Sequence, residues 1–363
     1  MRTDELDYHF DPTLIAMTPA SPRDAARLML VDRASGDITH HFVRDLPRFL
    51  HANDTLVVNS TSVQRARLSL VRHAEEARPR LETEGLLLER TLQKYWQALI
   101  RQSKRCSQGD RFHLRGSTGQ ETGDSILLLA RLGDRWIVQV DSIVDEQAAL
   151  DRSGLTPLPP YILKARKDNA ITVTDQEDRE QYETVYADRT QRHSVAAPTA
   201  GLHFTPQLLE AFAQKGIERA EVLLHVGTGT FKPIETDSLD EHPMHSERLV
   251  IPTETLHALE TAVQEPRRRR IAVGTTAVRA IESIPPDWTS RDGAYRGETR
   301  LLIQPGYSFR HTDALLTNFH LPRSTLLALV GAFIGMKLLK EAYAIAVAER
   351  YRFYSYGDAM LCV

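Results

Sequence analysis

The spacing of apolar and polar positions changes character twice along the chain. Arg27-Leu-Met-Leu-Val-Asp32 and Ile38 to Val43 are short apolar runs separated by Ser35-Gly36-Asp37, which predicts two strands joined by a turn. Leu46 to Leu50 predicts a short helix, and Leu56-Val-Val-Asn59 predicts a buried strand that delivers polar side chains at its carboxyl end. Asn59 and Thr61 there are either site residues or members of a hydrogen-bonded turn. From Arg67 to Val144 the texture becomes purely β-like: Arg67 to Val71, Gly85 to Glu89, Trp96 to Arg101, Arg111 to Leu114, Ser125 to Leu132 and Arg135 to Val140 are separated by Gly, Asp and Ser turns. Six strands at that spacing predict a small barrel or sandwich. Mixed α/β patterning resumes on its far side, so the barrel reads as an insertion. Residues 1–65 and 151–363 are expected to form one discontinuous α/β domain, and residues 66–150 an inserted β-barrel domain.

Beyond the insertion, Gly154 to Ile162 carries three prolines within four residues and predicts a rigid extended arm, with Tyr161 either walling a pocket or lying on a linker. Asp175 to Tyr186 reads as a charged helix. Thr205 is placed to cap a helix opened by Pro206, running to Gln214 and ended by Gly216. Glu221 to His225 predicts a strand entering Gly227-Thr-Gly-Thr230, where glycines let a ligand approach the backbone. Arg270 to Val273 repeats the pattern into Gly274-Thr-Thr276. Leu301 to Tyr307 predicts a strand, Leu326 to about Leu339 a helix capped by Ser324 or Thr325 with a helical continuation to Tyr351, and Arg352 to Asp358 an aromatic strand or turn whose rings either stack a base or pack a terminal strand. The fold class expected is mixed α/β.

The chain has 363 residues, long for a single core, and a formal net charge of -3, which argues against bulk electrostatic binding of nucleic acid while leaving room for a local basic face. Arg267-Arg-Arg-Arg270 is that face or a solvated turn. Cys106 and Cys362 are the only cysteines and fit a reducing compartment. With no apolar run of membrane length and an acidic amino terminus, a cytoplasmic, membrane-free protein is expected, as monomer or homodimer. Five of the fourteen histidines lie between His193 and His245, interleaved with glycine and hydroxyl residues, which marks a site. His203, His225, His242 and His245 allow a metal reading, but no carboxylate or thiol joins them in a zinc motif, and neutral imidazoles serve equally as acid/base groups.

Eight stretches carry a family resemblance: Pro157-Leu-Pro-Pro-Tyr-Ile162, Ala196-Ala-Pro-Thr-Ala-Gly-Leu-His-Phe-Thr205, Leu224-His-Val-Gly-Thr-Gly-Thr-Phe231, Met244-His-Ser-Glu247, Val273-Gly-Thr-Thr276, Pro305-Gly-Tyr307, Thr317-Asn-Phe-His-Leu-Pro322 and Tyr351-Arg-Phe-Tyr-Ser-Tyr-Gly-Asp358. In these the chain resembles the S-adenosylmethionine:tRNA ribosyltransferase-isomerases of queuosine biosynthesis. The resemblance implies an α/β domain interrupted by a small barrel. It implies transfer and isomerisation of the ribosyl part of S-adenosylmethionine onto a 7-aminomethyl-7-deazaguanine at the tRNA wobble position, giving epoxyqueuosine-tRNA and releasing adenine and methionine. S-adenosylmethionine is then a consumed co-substrate, tRNA the partner, and neither cofactor nor metal is needed.

Such chemistry needs a base for a proton beside the sulfonium, an acid for departing adenine and polar groups for the ribose. His203, His225 and Glu247 are the catalytic expectations. Thr199, Gly201, Gly227, Thr228, Gly229, Thr230, His245, Thr275, Asn318, His320, Tyr356 and Asp358 are the substrate-binding ones. The chain departs from the family pattern at Ser62 and Lys164, where arginine is usual, and at Glu183, where glutamine is usual; the glycine pair expected before Leu86 is also missing. A paralogue with a different acceptor is one alternative. A metal-dependent hydrolase and a non-catalytic RNA-binding protein are the others.

Overall fold

The computed structural model describes residues 1–75, 79–91, 93–227, 234–265 and 267–363. It divides into two compact units: Met1–Ser62, Pro159–Thr172 and Gln181–Val363 form the first, and Val63–Leu158 and Val173–Glu180 the second.

The first unit is built on a nine-stranded sheet in the order Tyr295–Thr299, Glu247–Ile251, Glu218–Leu224, Thr55–Asn59, Arg270–Val273, Ala314–Asn318, Ala359–Cys362, Arg27–Val31, Ile38–Phe42. Its four neighbours from Glu218–Leu224 to Ala314–Asn318 run parallel, so their carboxyl ends all face the same way. Strands buried on both faces lose the polar alternation of a half-exposed sheet, and Thr55–Asn59 is buried at every position. The period of two survives as a division between two cores. Leu56 and Val58, Ile271 and Val273, Leu316 and Leu361 pack in one, whereas Val57, Ala272, Leu315 and Met360 pack in the other.

Helix ends follow the local chemistry. The Thr205 hydroxyl accepts from the Leu208 amide at 3.1 Å to open Pro206–Gln214, and Gly216 follows that helix at φ 76°. Ser324 caps Thr325–Ile334 through the Leu327 amide at 3.2 Å. The single helix expected from Leu326 onward is two, Thr325–Ile334 and Met336–Ala348, because Gly335 sits at φ 84° and interrupts the ladder. The extended arm expected through Ile162 ends early: Pro160 opens the helix Pro160–Asp168, where its fixed φ fits and its missing N–H costs nothing. No strand forms over 301–307. Pro305 and Gly306 make a turn there, closed by the Tyr307 amide on the Gln304 carbonyl at 3.0 Å, and the strand lies earlier at Tyr295–Thr299.

In the second unit Arg67–Arg72, Leu81–Arg90, Trp96–Ile100, Arg135–Asp141, Glu121–Leu132 and Arg111–Arg115 pair in that order, and the last closes back on the first as a six-stranded barrel. Leu68, Leu70, Phe112, Leu114, Ile126, Leu128, Trp136 and Val138 are among its buried residues. The unit reaches past the expected edges of 66 and 150 because Gly154–Leu155 pairs with Arg67 and Leu68. It also takes in 173–180, a segment assigned from sequence to the α/β domain: the Thr156 amide donates to Asp175 at 2.7 Å and Arg179 to the Gly154 carbonyl at 3.1 Å.

Candidate functional site

Parallel strands end in loops, and a crevice at their carboxyl ends is where α/β sheets bind ligands. Here Gly274, Thr275 and Thr276 follow strand Arg270–Val273, Asn318 ends Ala314–Asn318, and Val226 follows Glu218–Leu224; together with Ala197, Thr199, Ala200, His320, Ser324, Tyr161, Tyr354 and Ser355 they line a cleft. The cleft encloses about 750 Å³ including space open to solvent, within the range of small-molecule sites.

Its polar wall is held in place by hydrogen bonds. The Thr199 hydroxyl donates to Asn318 Oδ1 at 2.9 Å, and Asn318 Nδ2 donates to the Tyr354 carbonyl at 3.1 Å, so three separate loops are tied through one amide. Thr317 Oγ1 and His320 Nε2 lie 2.8 Å apart, and the His320 backbone N–H donates to the Tyr343 hydroxyl at 2.9 Å. Burial pushes the His320 imidazole down to about 3, so it is neutral at physiological pH. Thr276 Oγ1 is buried with no hydrogen-bond partner among the described residues. The rings of Tyr161 and Tyr354 stack with centroids 4.4 Å apart at 27°, and the Tyr161 hydroxyl meets Ser355 Oγ at 2.5 Å. The helix Thr275–Glu282 presents its amino end, and hence its partial positive charge, to the same space.

Thr199, Thr275, Asn318 and His320 are therefore brought together. The other expected site residues that the structure describes are not in the lining. His203 is buried, with Nδ1 2.9 Å from the Ala200 carbonyl and Nε2 2.8 Å from the Gly357 carbonyl, and desolvation lowers its pKa against the pull of those carbonyls. It braces the loop carrying Thr199 against the carboxyl-terminal segment. His225 is partly buried and its amide donates to the Arg248 carbonyl at 2.9 Å. Glu247 is buried, pairs with Arg279 on the helix Thr275–Glu282, and accepts the Gly227 amide at 3.3 Å. Gly201 is a packing glycine: a Cβ there would lie 1.7 Å from the Tyr186 hydroxyl. His245 is exposed. Tyr356 is buried edge-on to Tyr182, and Asp358 is buried between Arg27 and Arg352 at 3.3 and 3.5 Å. Thr228, Gly229 and Thr230 lie outside the described residues. Thr317 and Ser355 were not picked out singly as site residues from the sequence, Ser324 was named only as a helix cap, and Thr276 only within the Gly274-Thr-Thr276 run.

Other expectations resolve in structural terms. Asn59 donates to the Leu224 carbonyl at 3.0 Å and accepts the Leu224 amide at 3.1 Å, pinning two central strands rather than facing the cleft. Three of the four arginines at 267–270 are neither a solvated turn nor a basic face: Arg268 pairs with Glu218, Arg269 with the fully buried Asp54 at 2.6 Å, and Arg270 with Asp313 at 2.7 Å. They staple the amino ends of the strands, opposite the cleft. Ser62 and Glu183, two of the three departures from the family pattern, hydrogen-bond to each other, so they are one local arrangement. Among the described residues, His203, His225, His242 and His245 supply no group able to hold a metal ion. No helix among them is long and apolar enough to cross a membrane.

A parallel-centred sheet opening on a cleft of hydroxyls, one amide and stacked rings, with a six-stranded barrel inserted in the chain, is the plan of an α/β enzyme. A family model described as "Queuosine biosynthesis protein" matches residues 3–362. The S-adenosylmethionine:tRNA ribosyltransferase-isomerase of Rubrobacter xylanophilus is 47% identical over 99% of this chain and 97% of its own length, and the enzyme of that name from Geobacter metallireducens is 44% identical over 99% of each. The crystal structure of S-adenosylmethionine tRNA ribosyltransferase from Thermotoga maritima matches 99% of this chain and 100% of its own with a TM-score of 0.54 and 34% identity. The chain belongs to the queuosine biosynthesis family, and it is an enzyme of tRNA modification.

Proposed function

We propose that this enzyme binds S-adenosylmethionine in the cleft and transfers its ribosyl moiety, with isomerisation, onto a 7-aminomethyl-7-deazaguanine at the tRNA wobble position, yielding epoxyqueuosine-tRNA, adenine and methionine. The observation that supports it best is the combination in one cleft of hydroxyl and amide groups suited to a ribose with a stacked tyrosine pair suited to a planar base. Thr199, Asn318 and Thr276 are assigned to the ribose hydroxyls. The amino end of Thr275–Glu282 suits a carboxylate such as that of the methionine portion. His320, neutral and hydrogen-bonded to Thr317, accepts or donates a hydrogen bond without bringing charge beside the sulfonium. His203, Glu247 and Arg279 act by holding the surrounding loops. His225 remains the acid/base assignment to test, since it leads from Glu218–Leu224 into the Gly227-Thr-Gly-Thr230 run.

Purified protein incubated with S-adenosylmethionine and tRNA bearing the aminomethyl-deazaguanine is expected to release adenine and methionine in equal amounts, with the tRNA gaining the corresponding mass. His225→Ala should slow adenine release by about two to four orders of magnitude if it is the acid or base. Adenine release absent from wild type overturns the reading, and unchanged turnover in the variant removes His225 from it. Release with a tRNA lacking the deazaguanine would instead favour the paralogue with another acceptor.

A further inference from the structure

The barrel unit carries a side-chain group that the proposed reaction does not use. His73 follows strand Arg67–Arg72, His113 lies in Arg111–Arg115, and Glu121 opens Glu121–Leu132; their ligand atoms all lie within 4.8 Å of one another. The strand that carries His113 pairs on one side with Arg67–Arg72 and on the other with Glu121–Leu132, across a register irregularity between His113 and Arg115. Val71 is opposite His113, and His73 is two residues further along, on the same side. Arg115, two residues from His113, is opposite Glu121.

We propose that His73, His113 and Glu121 form a binding site for a divalent transition-metal ion, with zinc the best match. Two imidazoles and one carboxylate are a borderline donor set, unlike the all-oxygen shells of calcium or magnesium. His73 Nε2 and Glu121 Oε2 are 3.2 Å apart, and tetrahedral coordination with bonds of about 2.0–2.1 Å sets its ligands roughly 3.3 Å apart, so this pair already has the spacing required. The His73 and His113 rings lie with centroids 4.9 Å apart at 58°. His113 is partly exposed and closes the remaining distance by a side-chain rotation. A histidine–carboxylate ion pair accounts for two of the three groups and gives no reason for a second imidazole beside the first. Arg115 turns its guanidinium to Glu82 at 3.0 Å, so the cation opposite Glu121 is engaged elsewhere. With water completing the shell, the ion would clasp the end of Arg67–Arg72 to the hairpin formed by Arg111–Arg115 and Glu121–Leu132.

The test uses the untagged full-length protein, stripped with chelator and titrated with zinc chloride alone in a calorimeter, with cobalt(II) absorbance as a second reporter of tetrahedral geometry. One equivalent is expected to bind, weakened at least about tenfold in His113→Ala and in Glu121→Gln, and zinc should raise the melting temperature of wild type but not of either variant. His242→Ala should bind as wild type does. The proposal is overturned if stripped wild type takes up no stoichiometric zinc at micromolar concentration, or if both barrel variants bind it unchanged. It is equally overturned if loss follows His242 instead.

Discussion

Thr276 has a hydroxyl that finds no partner among the described residues, although its neighbours in the cleft wall, Thr199 and Thr317, are both hydrogen-bonded. A buried hydroxyl in that state costs about 1–3 kcal/mol, and a ligand supplying the missing bond recovers it. Thr276→Val keeps the shape and removes the polar group. The expected result is a melting temperature equal to or above wild type, with the KM for S-adenosylmethionine raised about tenfold, the equivalent of roughly 1.4 kcal/mol. An unchanged KM would mean that the hydroxyl faces no substrate atom. The same position marks how far single residues were legible in the sequence. The Gly-Thr-Thr and Thr-Asn-Phe-His runs located the strand ends correctly, and Thr275, Asn318 and His320 do reach the cleft. That the Thr276 hydroxyl lacks a partner among the described residues is a matter of tertiary packing that the local run does not carry. His203 illustrates the other side: its chemistry suggested catalysis, but its ring nitrogens face the carbonyls of Ala200 and Gly357, and the second lies 154 residues away.

Elements, unlike individual side chains, were mostly specified by local pattern. Thr205 and Ser324 cap the helices expected of them, and the six barrel strands follow from alternation and turns. The failures lie at Gly335, Pro160 and Pro305, where one residue's backbone freedom or restriction moved a boundary. What local pattern does not carry is the coupling between elements. Arg279 on Thr275–Glu282 and Glu247 on Glu247–Ile251 are both buried and ion-paired; Arg279 Nε also donates to the Leu301 carbonyl at 3.0 Å, and Glu247 receives the Gly227 amide. The pair therefore ties Gly227 to the cleft helix. Arg279→Met leaves a buried carboxylate without its counter-charge and should destabilise the fold by about 3–5 kcal/mol. Glu247→Leu with Arg279→Met removes both charges and should restore most of that loss in denaturant unfolding, while activity stays low because the Gly227 amide has lost its acceptor. Recovery of activity together with stability would show that the pair is dispensable for placing Gly227.

At the scale of the whole molecule, two buried imidazoles and a half-buried third couple stability to pH. Desolvation pushes His320 down to about 3, and desolvation likewise lowers His203, against the Ala200 and Gly357 carbonyls and Asp358, and His311, against Glu282 and Asp313. Each is harder to protonate folded than unfolded, where an imidazole titrates near 6.5. Between that value and the depressed one the unfolded chain binds more protons, so stability is fully present above about pH 6.5 and is lost as pH falls. The slope is at most about 1.4 kcal/mol per pH unit for each such histidine. Asp124 and Asp313, which burial raises but the Arg152 and Arg270 guanidiniums hold below the ordinary carboxylate range, add their own loss only below about pH 4, so the interval from 6.5 to 5 reads chiefly the histidines. Urea unfolding free energies at pH 7.5, 6.0 and 5.0 should fall progressively, and His320→Asn, which keeps a hydrogen-bonding group but cannot gain a proton, should flatten the fall. A free energy that holds level from 7.5 to 5.0 would mean that these imidazoles accept protons as readily in the folded chain as in the unfolded one.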